Sequence, residues 1–377
     1  MSKKNTTEIA EVSQSYPKLV DNRLRQLRFS LEDEKVDALV LTYLPNIRYL
    51  TNFSGTEATV FIDKENIYFI TDDRYEEQIK TELYPLADLK TYISRDPWAI
   101  ALDKGILDNV ESLAFESDRV SYHEAVEIRN RIRPVKFKPV YLLAEKFTIP
   151  KDPMELEYIQ LSCDIAEKTY EKMLEFIKPG VSETDIAIEI AYQSRKFGSE
   201  GDPFSIIAVS GARGCLIHGT PSDKKIKNGD IIILDFGCKV NGFCSDITRT
   251  FAVGKATKEQ KQIYKLIYEA QSTAINEVRP SMNGKILDAF ARNIIEKEGL
   301  GNYFQHSLGH GIGLVPHELP IITFRKDDQI IPENCVLAIE PGVYLPDKFG
   351  MRVEDEIFVT RNGATRLTNA PAELLVI

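Results

Sequence analysis
The chain has 377 residues, with 47 basic and 57 acidic side chains, 43% hydrophobic composition, five cysteines and five histidines. That length suits two domains, each able to bury a core, and excludes a disordered segment or a disulfide-stapled miniprotein. The net charge of −10 is spread over both parts of the chain, with 21 basic against 25 acidic residues up to residue 150 and 26 against 32 beyond it; there is no basic arm, and such a surface opposes nucleic acid and anionic membranes as partners.

The opening stretch MSKKNTTEIAEVSQSY carries a lysine pair with no apolar segment behind it, and no run of about 18 apolar residues occurs anywhere, so the expectation is a soluble, cytoplasmic protein. Cys163, Cys215, Cys238, Cys244 and Cys335 are odd in number and form no C-x-x-C pair, which fits reduced thiols. Cys238 and Cys244 could face each other across a hairpin, but small buried hydrophobes are the better reading.

Residues 18–36 set Leu24, Leu27 and Leu31 at helical spacing, and strand-like runs follow at 38–42, 58–63, 67–72, 89–93 and 112–117. Their alternation with helical stretches up to about residue 140 predicts an α/β domain. A helix then opens at KDPMELEYI, where Asp152 can cap, Pro153 suits the first turn and Glu155 completes a capping box. Its apolar stripe, Ile159, Ala166, Tyr170, Met173 and Ile177, ends at Pro179-Gly180. The link around 144–152 divides the chain into domains 1–145 and 146–377.

The second domain contains a diverged internal repeat. IKNGDIIILDFG (226–237) over IPENCVLAIEPG (331–342) aligns Asp235 with Glu340 and Gly237 with Gly342, so each half ends an apolar strand in a carboxylate. HGTP over HELP pairs His218 with His317, and IKPGVSETDI over VRPSMNGKIL pairs Pro179 with Pro280. Two such halves predict a pseudo-twofold domain whose carboxylates and histidines converge on one site.

Asp235 ends the run Ile231–Leu234, a pattern expected of a strand buried on both faces, where a charge requires a cation, donors or a metal. Asn241-Gly242 is a strong hairpin-turn signal; with that pair as the turn, Asp235 faces Thr248, and Asp246 emerges on the same face, within about 7 to 8 Å. Glu340 and Glu354 flank a second turn around Pro346 to Gly350. HSLGHGIGL supplies His306 and His310, and its glycines argue against a helix. Asp235, Asp246, His310, Glu340 and Glu354 form an oxygen-rich set with one nitrogen, suited to Mn²⁺, Co²⁺ or Zn²⁺. Four carboxylates call for two divalent ions, which would activate a water for hydrolysis of an acyl bond. Taken singly, Asp235 or Asp246 reads equally well as a turn or capping residue, His218 or His317 as a structural histidine, and Glu354, within VEDEI, as part of a solvated face. The combination overturns those readings.

On these residues the chain resembles the pita-bread metallopeptidases, within them the Xaa-Pro aminopeptidase and prolidase group. LDFG, SDITRTF, HSLGHGIGL, IEPGVY and RVEDEI stand in the family's order, and NIRYLTNFSG (46–55) and ITDDRY (70–75) resemble its creatinase-like N-terminal domain. The resemblance implies an α/β (α+β) architecture, a creatinase-like domain followed by a pita-bread catalytic domain, in a homodimer. It implies that Asp235 binds one metal and His310 the other, with Asp246 and Glu354 bridging two divalent ions, Mn²⁺ or alternatively Co²⁺ or Zn²⁺. Glu340 would be both ligand and general base. His218 and His317 would hold the substrate and stabilise the tetrahedral intermediate, His306 and Arg352 would mark the proline-directed members, and Thr248 would support the ligands. The expected activity is release of the N-terminal residue from a peptide with proline at the second position (Xaa-Pro aminopeptidase), with prolidase, an Xaa-Pro dipeptidase, as the alternative. Some pita-bread domains are metal-free binding modules with substituted ligand positions; here none is substituted. Two departures stand out. Asp73 takes the place of a frequent glycine in the N-terminal motif, and Val315-Pro316 precedes His317, on the substrate side of the site.

Overall fold
In the first part of the chain the run ALVL, apolar at every position, makes a strand that only a sheet covered on both faces can accommodate. The computed structural model describes residues 19–377, so the reading of MSKKNTTEIAEVSQSY lies outside the described residues. Ala38–Leu41 is buried throughout. It lies inside a six-stranded mixed sheet, in the order Leu89–Ile93, Ile67–Thr71, Ala58–Ile62, Ala38–Leu41, Ser112–Glu116, Lys136–Val140. A helix over 19–33 buries Leu24, Leu27 and Leu31, as their spacing requires. Asp73 starts a short 3-10 turn and pairs with Arg95 at 2.9 Å on the surface, with no positive φ that would have demanded glycine.

Contacts divide the described chain into two compact units between Thr148 and Ile149. The second unit opens with the helix Pro153–Phe176, whose capping box is formed: the Asp152 carboxylate accepts from the Met154 and Glu155 N–H groups at 3.0 and 2.9 Å, and Glu155 accepts from the Asp152 N–H at 2.8 Å. The repeat is structural. A long helix precedes a 14-residue one in each half, Pro153–Phe176 with Glu183–Lys196, then Lys258–Glu277 with Gly284–Lys297. Each pair packs on its own sheet. The first sheet runs Leu375–Val376, Ile247–Ala252, Ile231–Phe236, Ile207–Ser210; the second runs Glu318–Ile322, Gly309–Gly311, Val336–Ile339, Asp355–Thr360, Gly363–Arg366.

The turn chemistry sets the register. Asn241 and Gly242 adopt φ of 48° and 84°, the pair of positive values a tight hairpin turn needs. Asp235 therefore stands opposite Thr248, and Phe236 opposite Ile247. In the second half Gly342–Leu345 pairs with Phe349–Arg352, which brings Glu340 and Glu354 to the open end of that hairpin. All five cysteines carry free thiols, and Cys238 and Cys244 are buried as hydrophobes rather than bridged. Among the described residues no helix is long and apolar enough to cross a membrane.

Gly309 carries the strand of His310 tight against its neighbour: a Cβ there would overlap the Ala338 carbonyl oxygen, a backbone atom that cannot swing away. Gly309→Ala is expected to destabilise the chain by about 3 kcal/mol, as overpacking against backbone does. Denaturant unfolding measures this, and an unchanged midpoint would show that the strand has slack.

Candidate metal centre
Asp235 sits in the fully buried strand Ile231–Phe236, Asp246 just before Ile247–Ala252, His310 in Gly309–Gly311, Glu340 just after Val336–Ile339 and Glu354 just before Asp355–Thr360. Both sheets thus deliver their acids at strand ends. Asp235, Asp246 and Glu354 present oxygens lying within 4.8 Å of one another, and Asp246 also lies within that distance of His310 and His317. Asp246 therefore belongs to both donor groups. His310 Nε2 stands 3.8 Å from Asp246 Oδ2 and 3.7 Å from Glu340 Oε1. Ligand atoms each about 2.1 Å from a shared ion are spaced in this way.

One oxygen of each buried acid, Asp235 Oδ1, Asp246 Oδ1 and Glu354 Oε1, has no hydrogen-bond partner. Two of the sister oxygens are engaged: Asp235 Oδ2 accepts from Arg352, and Glu354 Oε2 accepts from Thr248 Oγ1 at 2.7 Å. Buried carboxylate oxygens are as a rule paired with a donor, an ordered water or an ion. The donor set fits divalent metal.

Without a cation, the charges oppose one another. Burial, then repulsion from Asp235, pushes the Glu354 carboxyl up to about 8. Burial, then Glu354 and Asp235, holds Asp246 well above the usual carboxylate range; burial and Glu354 raise Glu340 against the opposing pull of Arg352. Burial and the neighbouring His317 lower His310 to about 3, so its ring is neutral. Its Nδ1 lies 3.0 Å from the Gly311 carbonyl, which can only accept, so Nδ1 carries the hydrogen and Nε2 keeps its lone pair for a metal.

His218 and His317 are exposed, and the His317 ring meets His310 edge-on with centroids 4.3 Å apart. Charge on His218 contributes to lowering both His306 and His317, after burial as the main cause. Arg352 is buried, donates to Asp235 and, at 3.1 Å, to Thr248 Oγ1. This guanidinium was missing from the sequence charge count. It offsets part of the negative charge of the four acids.

Three further groups escaped the sequence reading. Tyr344 Oη accepts from Arg352 at 2.6 Å and lies 2.9 Å from His306 Nε2, joining the two. Glu356 is buried and accepts from the Asp246 N–H. Arg249, also buried, pairs with Asp355 at 3.1 Å and donates to the Glu354 carbonyl. VEDEI is therefore no solvated face: Glu354, Asp355 and Glu356 are all buried. Its acidity was visible; the partners of Glu354 and Glu356, Thr248 and Asp246 at 106 and 110 residues away, were not.

Residues 157–361 match metallopeptidase family M24, and residues 23–147 match the Creatinase/Prolidase N-terminal domain. The chain belongs to metallopeptidase family M24. It is 34% identical to the Xaa-Pro dipeptidase of Pyrococcus furiosus, across 94% of this chain and 99% of that one. Among solved structures, the Xaa-Pro dipeptidase from Bacillus anthracis superposes with a TM-score of 0.89 at 36% identity, covering 95% of this chain and 100% of that one. The X-Pro aminopeptidase from Thermotoga maritima MSB8 gives 0.87 at 33% identity, covering 94% and 99%. The creatinase-like domain followed by a pita-bread catalytic domain stands as read from sequence.

A carboxyl whose folded pKa is raised favours folding while protonated, and that stability, full below the unfolded value near pH 4 to 5, is lost as pH rises through the folded value, about 8 for Glu354. Metal-free protein is therefore expected to lose melting temperature between about pH 5 and about pH 9, and Mn²⁺ to restore more of it at the higher pH. Thermal melts with and without metal measure both slopes. A metal-free profile identical to that of Asp246→Asn would contradict this electrostatic picture.

Proposed function
We propose that the chain is an Xaa-Pro dipeptidase, hydrolysing the bond between an N-terminal residue and a proline. The observation that carries this is the convergence of unpartnered buried carboxylate oxygens in a chain whose likeness to Xaa-Pro dipeptidases runs nearly end to end. The sequence alone put the aminopeptidase first; the relatives favour its alternative, while the likeness to an X-Pro aminopeptidase keeps the longer-substrate activity as the second reading.

Asp235, Asp246, His310, Glu340 and Glu354 would hold two divalent ions, Mn²⁺ or alternatively Co²⁺ or Zn²⁺, whose chemistry is to polarise the scissile carbonyl and acidify water. Glu340 is the least buried of the four acids, with its side chain 20% exposed, and can exchange protons with a bound substrate. It takes a proton from the attacking water and returns it to the proline nitrogen, which has no hydrogen of its own in the peptide and must gain one to leave. His218 and His317, on the exposed side, donate to the oxygen on which charge develops. His306, held neutral by burial and by Arg352, is lowered to about 3. Its link through Tyr344 to Arg352 fixes the ring beside the substrate. A cytoplasmic homodimer belongs to the same reading.

Xaa-Pro dipeptides compared with Xaa-Pro-Xaa-Xaa peptides decide between the two readings. The dipeptide alone should be cleaved; comparable kcat/KM on the longer peptides would establish the aminopeptidase instead. Glu340→Gln is expected to lower kcat by roughly 10²- to 10⁴-fold, the range for a lost general base, with little change in melting temperature. Retained turnover would remove Glu340 from the role.

A further inference from the structure
Glu183 is wholly buried, yet it lies outside the metal centre and is not needed to start its helix, because Ser182 and Asp185 already form the capping box there. Its carboxylate instead gathers the ends of one loop. Oε1 accepts from the Ser210 N–H and Ser210 Oγ, both at 2.8 Å. Oε2 accepts from Arg213 Nε at 2.9 Å, the Ser222 N–H at 3.2 Å and Ser222 Oγ at 2.7 Å. Arg213 extends the clasp by donating to the Thr220 carbonyl at 2.6 Å. Between these points lies His218.

The middle of the loop is held too. A Cβ on Gly214 would come within 2.7 Å of the Gly350 backbone nitrogen, so the two backbones are in direct contact. Arg352 donates to the carbonyl of Ile217, the residue before His218, at 3.3 Å. The loop is thereby tied to the hairpin that carries Arg352.

The repeat supplies a control. In the second half the matching helix begins at Gly284, capped by Asn283, with no carboxylate in the place of Glu183. The architecture can therefore be built without this acid; what distinguishes the first half is the loop that it clasps.

We infer that Glu183, with Arg213, is a positioning residue for His218, holding that imidazole at the distance the reacting carbonyl requires. This rests on the role given to His218 above. A buried carboxylate receiving five donors is rigid, and a misplacement of about 1 Å in a positioned group can cost about 100-fold in rate.

A double-mutant cycle of Glu183→Gln and His218→Ala tests it, with kcat and KM measured on an Ala-Pro dipeptide at equal metal content. Glu183→Gln should lower kcat/KM by about tenfold or more, divided between kcat and KM as in His218→Ala, and should cost less than about twofold further once His218 is gone. A full, additive loss in the double variant, or no loss in the single one, overturns the inference while leaving His218 in its role. If His218→Ala itself leaves kcat/KM unchanged, the role of His218 fails and the inference falls with it. Should Glu183→Gln not fold, Arg213→Met, whose native side chain is 32% exposed, cuts one arm of the clasp and runs through the same cycle with the same criteria.

Discussion
Everything in the catalytic unit is arranged around carboxylates of like charge that are buried together. Asp235, Asp246 and Glu354 lie beneath the surface with an unpartnered oxygen each, and Glu340 stands at their edge. An isolated buried carboxylate takes up a proton; several in contact raise one another further. Such a cluster persists in a folded protein when a cation is part of the design, and Arg352 alone is too little charge for four acids.

The fold supplies the rigidity this requires. Apolar strands such as Ile231–Phe236 lock the backbone in two cores, and the acids occupy the ends where the apolar pattern stops. Pairing two similar halves brings strand ends from both sheets to one place, so neither half alone contains the donor set. Behind the donors a second layer fixes their orientation: Thr248 on Glu354, Glu356 on the Asp246 backbone, Arg249 on Asp355 and on the Glu354 carbonyl. Losing an outer group of this kind typically costs roughly 10- to 100-fold in metal affinity or activity.

Much of this was legible in the residues. The Asn241-Gly242 turn determined the pairing of Asp235 with Thr248, since a two-residue loop leaves no freedom of register, and the repeat foretold the matching helices. The capping box at Asp152 was visible because it is purely local. Glu356 was not, because its role depends on Asp246, 110 residues away in the chain, and Tyr344 was not, because no local pattern shows that its hydroxyl joins Arg352 to His306. VEDEI misleads for a related reason: alternation in a strand tells which residues share a face, not whether both faces are covered. Glu183 carries no sequence signal beyond a helix start, and only its five donors reveal what it holds.

The measurement closest to the central claim is the metal content of the purified chain after equilibration with Mn²⁺, by elemental analysis, with Asp246→Asn alongside. A dinuclear centre requires two ions per wild-type chain and a clear loss in the variant, because Asp246 belongs to both donor groups. Fewer than one ion per wild-type chain, with activity indifferent to chelator, would contradict the account and favour a metal-free binding module.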